Sequence, residues 1–397
     1  MPTRALPCLL SLTVLIPAAH AETTRAYIVQ FHDSAVQAPV RKAVRDTRID
    51  TDPQGWSYVD QRVMERTQGL ENRYGVKARH AFSKVMKGFA ADLSDSQLAR
   101  LKADPTVMAI EEDQPMVAIA QTVPWGIART EATLSSTLAG NGTGTVGNVN
   151  VYVIDTGIAT HGDLNLVRHL NFTTDRKNTD CNGHGTHVAG IIGARDDSSY
   201  VVGMAPGVRL TGVKVLDCNG AGTTSSVMKG VDWVTANATK PAVANLSLGG
   251  GISSMLDAAV GRAVAAGVVF AIAAGNSAAD ACTQSPARVG GSLAGALTVA
   301  ATDSADAEAS FSNYGSCVDV WAPGVGIQST YLNNGMATAS GTSMASPHAA
   351  GAAALYLSRY TAATPATVEA ALRQAAMTTG RLSKNGQTVK HLDVLGF

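Results

Sequence analysis

The chain has 397 residues, 31 Lys and Arg against 31 Asp and Glu, and a formal charge of zero, which excludes a polybasic binder of nucleic acid or anionic membranes acting through net charge. Hydrophobic residues at 45% and charged residues at 16% exclude a disordered chain. Aromatic residues at only 5% beside 39 glycines call for a core of small aliphatic groups packed closely.

Residues 1–21 read as a secretory signal. Arg4 gives a thin positive start, and Ala5 to Ala18 is mostly apolar. That stretch is broken by Pro7 and Pro17 and is too short to span a bilayer. Ala19-His20-Ala21 places small residues at the cleavage positions. A cleaved signal predicts a secreted, extracellular protein with no membrane anchor. Cys8 leaves with it, and Cys181, Cys218, Cys282 and Cys317 remain, enough for two disulfides in an oxidising compartment. The sequence allows three pairings; chain order favours neighbours, Cys181 with Cys218 and Cys282 with Cys317. No Cys-x-x-Cys spacing supports zinc.

Residues 22–119 carry 28 charged residues, 14 of each sign, and four glycines. Residues 120–397 carry 33 charged residues and 35 glycines, a break that predicts two separate cores. In the first segment Ala26 to Phe31 alternates as a strand. Trp56 to Tyr74 has Val59, Val63, Met64 and Leu70 near helical spacing, and Val85 to Leu93 reads as a strand pair around Lys87-Gly88. Ser94 and Gln97 have capping-box spacing for a second helix, and Val107 to Ile110 closes as a strand. The order is β-α-β-β-α-β, ferredoxin-like, with no nucleophile beside a base.

In the second segment Val149–Ile154, Val213–Leu216, Val243–Leu248, Val268–Ala274 and Leu297–Ala301 are short β-rich runs without polar alternation. Helical stretches such as Thr224–Thr235 and Met255–Ala266 lie between them. The alternation predicts an α/β fold with a doubly wound parallel sheet covered by helices on both faces, its function at the carboxyl ends of the strands. Asp155 ends the first run. In Asn182-Gly183-His184-Gly185-Thr186-His187, His184 opens an apolar helix in which Gly190 and Gly193 permit a close neighbour. Ser343 precedes the Ala/Gly-rich stretch Ala349–Tyr360, with Pro347 suited to a first helical turn. Asn276 ends the run Phe270–Gly275.

A serine hydroxyl is a poor nucleophile until an imidazole takes its proton and a carboxylate orients that imidazole. The order Asp155, His184, Ser343 fits the Asp–His–Ser arrangement, and it differs from the orders of α/β-hydrolases and chymotrypsin-type enzymes. The Asn276 amide and the Ser343 N–H are candidate donors to an oxyanion. A metal pair at His184 and His187 is the rival, but a zinc hydrolase helix needs His-Glu-x-x-His, with spacing of four and a general base between. A catalytically inactive secreted binding protein is the third reading.

Asp155-Thr156-Gly157, Gly183-His184-Gly185-Thr186-His187, Asn245 to Gly251, Ala274-Gly275-Asn276 and Gly341-Thr342-Ser343-Met344-Ala345 together resemble the subtilisin-like serine proteases, in the proteinase K and aqualysin-like branch. The likeness runs from Pro124 to the C-terminus and implies catalytic roles for Asp155, His184, Ser343 and Asn276. It also supports the neighbouring disulfides. Tyr27-Ile28-Val29, Lys87 to Ala91 and Asp104 to Val107 resemble the subtilisin propeptide, an intramolecular inhibitor and folding aid, with a junction near Val117–Gln121. The expected organisation is signal 1–21, prodomain 22–119 and catalytic domain 120–397. Gly220, Ala221 and Gly222, with Ser247, Leu248 and Gly249, read as edges that pair with an extended peptide. Ala273, Ala274 and Gly275 read as a small, uncharged pocket wall suited to apolar or aromatic residues. Thr224 and the longer 286–297 stretch depart from proteinase K. The resemblance implies no catalytic cofactor, and structural calcium with Asp319 at a ligand position; Asp175 and Asp180 read as loop carboxylates open to a further ion. The expectation is a monomeric secreted serine endopeptidase acting on protein and peptide substrates, with no nucleic-acid partner, whose turnover rises through about pH 6–7 as His184 loses its proton.

Overall fold

The computed structural model describes residues 24–36, 43–45, 58–113 and 121–397. The expected signal peptide, Trp56 and nearly all of the expected junction lie outside the described residues. The chain divides into two compact units, Met1–Val117 and Ala118–Phe397.

In the first unit β1 (Arg25–Phe31) is followed by a short antiparallel pair, β2 (Ala43–Arg45) and β3 (Tyr58–Asp60). Then come α1 (Gln61–Tyr74), β4 (Ala78–Phe82), β5 (Gly88–Leu93), α2 (Asp95–Lys102) and β6 (Val107–Glu112). An antiparallel sheet runs β4-β5-β1-β6. Tyr27, Val29 and Phe31 alternate inward on β1 and meet Val63 and Leu70 of α1 and Leu101 of α2. The capping box forms: Ser94 Oγ accepts from Gln97 N (3.3 Å) and Gln97 Oε1 accepts from Ser94 N (2.9 Å). Two expectations are corrected. The helix starts at Gln61, because Tyr58–Asp60 is spent pairing with Ala43–Arg45. The strand pair is Ala78–Phe82 with Gly88–Leu93, so Val85, 91% exposed, belongs to the connection. The polar Arg79 and His80 on the open face of β4 hid that strand.

The second unit opens with α3 (Trp125–Arg129), β7 (Asn150–Asp155), β8 (Leu166–Asn171), α4 (His184–Gly193) and β9 (Arg209–Lys214). It continues through α5 (Thr224–Asn237), β10 (Ala242–Leu246), α6 (Ser254–Ala265), β11 (Val268–Ala273), β12 (Ala296–Thr302) and β13 (Val320–Pro323). A hairpin, β14 (Ile327–Tyr331) and β15 (Gly335–Ala339), precedes α7 (Thr342–Arg359), α8 (Pro365–Ala375), β16 (Met377–Leu382) and β17 (Thr388–His391). The sheet order is β16-β17-β13-β12-β11-β10-β7-β9-β8, parallel except where β16 meets β17. This is the doubly wound α/β sheet. The strand at Arg209–Lys214 sits a few residues before the expected Val213–Leu216, and β8 was not foreseen, since its Arg168 and His169 interrupt the apolar pattern.

Both faces are covered, and the pleat sorts the side chains. Val151 and Val153 of β7 join the core under α4 and α7; Tyr152 and Ile154 join the core under α5 and α6. Close packing rests on missing side chains. A Cβ at Gly190 would lie 2.3 Å from Ser329 Oγ and Thr330 Oγ1 of β14, and one at Gly351 would lie 2.3 Å from Met204 Cβ. The chain leaves β7 toward β8 and β9 on one side and reaches β10 to β13 on the other. The C-terminal ends of β7 and β10 therefore flank the point where the winding reverses, where such sheets bind ligands.

Candidate active site

Asp155 ends β7 fully buried, and His184 is the first residue of α4. His184 Nδ1 lies 2.7 Å from Asp155 Oδ1, which also accepts from Thr156 N at 2.6 Å. Burial pushes the His184 ring down, but the charge of Asp155, its hydrogen bond and the charge of Asp180 outweigh this and hold the imidazole above its ordinary 6.5. The ring keeps 30% of its side-chain surface exposed, so one edge faces solvent.

Ser343 is the second residue of α7, a helix buried along Met344–Leu355. That helix begins at Thr342, so Pro347 stands in its second turn instead of its first. The consequence is chemical. Proline has no N–H to give to the carbonyl four residues back, which is that of Ser343, and Ser247 Oγ donates to this carbonyl instead (2.8 Å). Asn245 Nδ2 donates to Ser247 Oγ (2.9 Å), and Asn245 Oδ1 accepts from Ser346 Oγ (2.7 Å). A buried chain of polar groups thus fixes the start of α7 against the end of β10. The Ser343 hydroxyl donates to Ser247 O at 3.1 Å. Among the described residues no hydrogen bond joins it to His184 Nε2, and rotation about Cα–Cβ is what would redirect it.

Ser247 and His184 face one groove of about 480 Å³, which Leu216, Asn219, Gly220, Ala221, Gly222, Leu248 and Gly249 also line. Both expected peptide-pairing edges therefore border the groove that holds the imidazole. Ala273, Ala274 and Gly275 are not among its lining residues; they lead from β11 into Asn276. Asn276 is oriented through its oxygen, since Oδ1 accepts from Thr342 N (2.8 Å) and Thr342 Oγ1 (2.9 Å). Its amide nitrogen and the Ser343 backbone nitrogen border the same spot: a Cβ built on Gly341 would lie 3.5 Å from Asn276 Nδ2 and 3.6 Å from Ser343 N. An oxyanion requires two such donors converging beside the nucleophile.

Several supporting residues escaped the sequence reading. Asp180, 4% exposed, accepts from Thr156 Oγ1, Asn182 N, Gly183 N, Thr186 N and Thr186 Oγ1 at 2.6–2.9 Å. Both oxygens are used, so it is a brace between the end of β7 and the start of α4, which replaces the reading of an open loop carboxylate. Asn313, fully buried, accepts from Ser277 N and Ala279 N (3.0 Å each) and donates to Ala274 O (2.9 Å), clasping the turn that carries Asn276. Asn245 was the legible one: an amide inside an otherwise apolar strand needs a partner.

The rival metal pair does not assemble. His187 Nε2 lies 3.1 Å from Ile327 O and from Ala337 O, and burial pushes its pKa down to about 4. The two histidines thus face different partners. Asp319 does not suit calcium either. Oδ1 accepts from Gly291 N (3.0 Å) and Oδ2 from Thr298 N (2.8 Å), and the Arg373 guanidinium, 3.4 Å from Oδ1, supplies the positive charge. Burial pushes this carboxyl up to about 6, against the pull of Thr298 N–H and Arg373. Asp175 is engaged by Lys214 at 3.4 Å. The structure pairs Cys181 with Cys218 and Cys282 with Cys317, as chain order suggested.

Comparison with known proteins agrees with this chemistry. The subtilase family matches residues 147–396, and the peptidase inhibitor I9 family matches residues 26–118. The chain is 45% identical to an extracellular serine proteinase of Thermus sp. (strain Rt41A), across 87% of this chain and 83% of that protein. It is also 45% identical to alkaline serine exoprotease A of Vibrio alginolyticus, across 84% of this chain and 62% of that protein. A crystal structure of a cold adapted subtilisin-like serine proteinase superposes with a TM-score of 0.60 at 44% identity, covering 69% of this chain and 98% of the other. The chain belongs to the subtilase family of serine proteases: it is a peptide-bond hydrolase that carries an I9-type inhibitor domain at its N-terminal end and uses no catalytic cofactor.

Proposed function

We propose that the protein is an exported serine endopeptidase of broad specificity, made as a precursor and released by its own cleavage. Asp155, His184 and Ser343 form the triad, with Asn276 and the Ser343 N–H as the oxyanion donors. The observation that carries this reading is the 2.7 Å contact of His184 Nδ1 with Asp155 Oδ1, in a groove shared with Ser247, the residue hydrogen-bonded to Ser343.

In the first half-reaction Ser343 Oγ bonds to the peptide carbonyl carbon as His184 Nε2 takes its proton, and the carbonyl electron pair moves onto oxygen. Asp155 holds the ring in the tautomer that presents a free Nε2 and offsets the imidazolium charge. The tetrahedral oxyanion sits between Asn276 Nδ2 and Ser343 N. Collapse breaks the C–N bond, and the amine leaves with the proton from His184. Water repeats the sequence on the acyl-enzyme, returning the serine and a carboxylic acid.

The glycine-rich edges 219–222 and 247–249 pair with an extended main chain, which gives affinity without demanding a sequence. The preference for apolar and aromatic residues before the scissile bond is supported by Leu216, Ala221 and Leu248 in a groove lined by no Asp, Glu, Lys or Arg. Export rests on the N-terminal signal pattern, supported by a relative named extracellular. Ser343→Ala is the test, with casein hydrolysis and precursor length as readouts. Casein turnover should fall to background and the precursor should stay uncut. A variant that still digests casein would overturn the triad, and one that appears as the short form would overturn self-cleavage.

A further inference from the structure

We propose that Lys214 is a positioning residue that ties the substrate edge 219–222 to the Asp155–His184 pair. This rests on the reading of that edge as a peptide-binding strand.

Lys214 is the last residue of β9, and its side chain is fully buried. A lysine is almost never so buried without partners, because its ammonium loses hydration. In a strand whose neighbours Val213 and Val215 are buried and apolar, Leu or Met would fill the space without that cost. What a neutral side chain of this length lacks is three donors on one atom. Nζ donates to Leu216 O (2.8 Å) and Thr156 O (3.0 Å), and it lies 3.4 Å from Asp175 Oδ2 and 3.8 Å from Cys181 Sγ.

Those partners belong to three separate segments. Thr156 follows Asp155, and its N–H donates to the Asp155 carboxylate. Leu216 leads into the edge 217–222 and lines the groove. Asp175 and Cys181 lie on the connection that ends at His184. Two further links run in parallel: the Cys181–Cys218 disulfide, and Asn182 Nδ2 donating to Cys218 O (3.2 Å). Asp155 O itself accepts from Val215 N (2.8 Å) and Leu216 N (3.2 Å). The ammonium touches the carboxylate's segment, the imidazole's segment and Leu216, which leads into the edge, at once. Displacement of the edge when a peptide pairs with it is resisted at the same atom that fixes the segments beside the triad.

The test compares a tetrapeptide anilide, long enough to reach the edge, with an N-acetylated single-residue ester, which is not. Rates are taken per active site titrated with a serine-directed phosphonate. For Lys214→Met we expect kcat/KM on the tetrapeptide to fall about ten-fold or more, carried by KM, and kcat/KM on the ester to change less than about three-fold. Equal losses on both substrates would show a general structural role and overturn the proposal, and no loss on either would do the same. Wild-type enzyme that gains nothing from the longer substrate would show that the edge reading has failed, and this inference with it. If Lys214→Met yields no titratable sites, Asp175→Asn releases one arm of the same ammonium from a side chain that is 22% exposed. It should give a smaller rise in KM confined to the tetrapeptide, and no such rise would overturn the tether.

Discussion

His184 works as a base only when neutral, and Asp155 favours the charged form. The acid limb of kcat/KM should therefore have its midpoint above 6.5 and reach a plateau in mild alkali. A profile measured from pH 5 to 9 checks this, and Asp155→Asn should move the limb down while cutting kcat by about 10⁴. Asn276→Ala should lower kcat by about 10²–10³ with little change in KM, a magnitude itself measured on a subtilisin. Asp155, His184, Asn276 and Ser343 were legible because each sits in a short motif at a strand end or helix start, where local spacing limits what a side chain can reach. Asp180, Asn313 and Ser346 were not. Asp180 closes on Thr156, Asn313 on Ala274 and Ser346 on Asn245, partners 24, 39 and 101 positions away that local pattern does not encode.

The brace at Asp180 joins the end of β7 to α4, and five donors converge on it. Removing the carboxylate leaves several of them buried without acceptors, each costing about 1–3 kcal/mol. Asp180→Ala should therefore lose at least ~3 kcal/mol of unfolding free energy, read by denaturant titration of phosphonate-inhibited enzyme. The closeness of α7 to α4 and to the loop after it is equally specific. A Cβ on Gly351 would meet Met204 Cβ at 2.3 Å and Ile192 O at 3.1 Å, so Gly351→Val should be destabilising by ~1–3 kcal/mol or more. Parallel strands were readable as apolar runs, since both of their faces are covered. The half-exposed β8 and the interstrand use of Tyr58–Asp60 were hidden, because pairing partners are chosen in three dimensions.

Acid behaviour belongs to the molecule as a unit. His187, His348 and His391 are buried, and burial pushes their pKa values down to about 4, 3 and 4. In the unfolded chain each takes up a proton near 6.5. Their stabilising share is complete above that pH and falls by about 1.4 kcal/mol per ring per unit as pH drops toward the folded values. Asp163 and Asp319 act in the opposite sense, because burial pushes them up to about 7 and about 6. The net curve therefore mixes both groups, and a variant isolates one. The advantage of wild type over His348→Gln should shrink steadily between pH 6.5 and 4 in urea titrations; a constant gap would contradict the burial of a neutral ring.

The Arg373 guanidinium beside Asp319 and Glu369 carries one more consequence. A counter-charge that is covalently part of the polymer cannot be diluted, exchanged or sequestered. The backbone from Gly291 to Thr298, anchored through the Asp319 and Glu369 carboxylates, has its charge balanced from within the chain. Its hold weakens as Asp319 takes up a proton, so acidity loosens the anchoring of that loop.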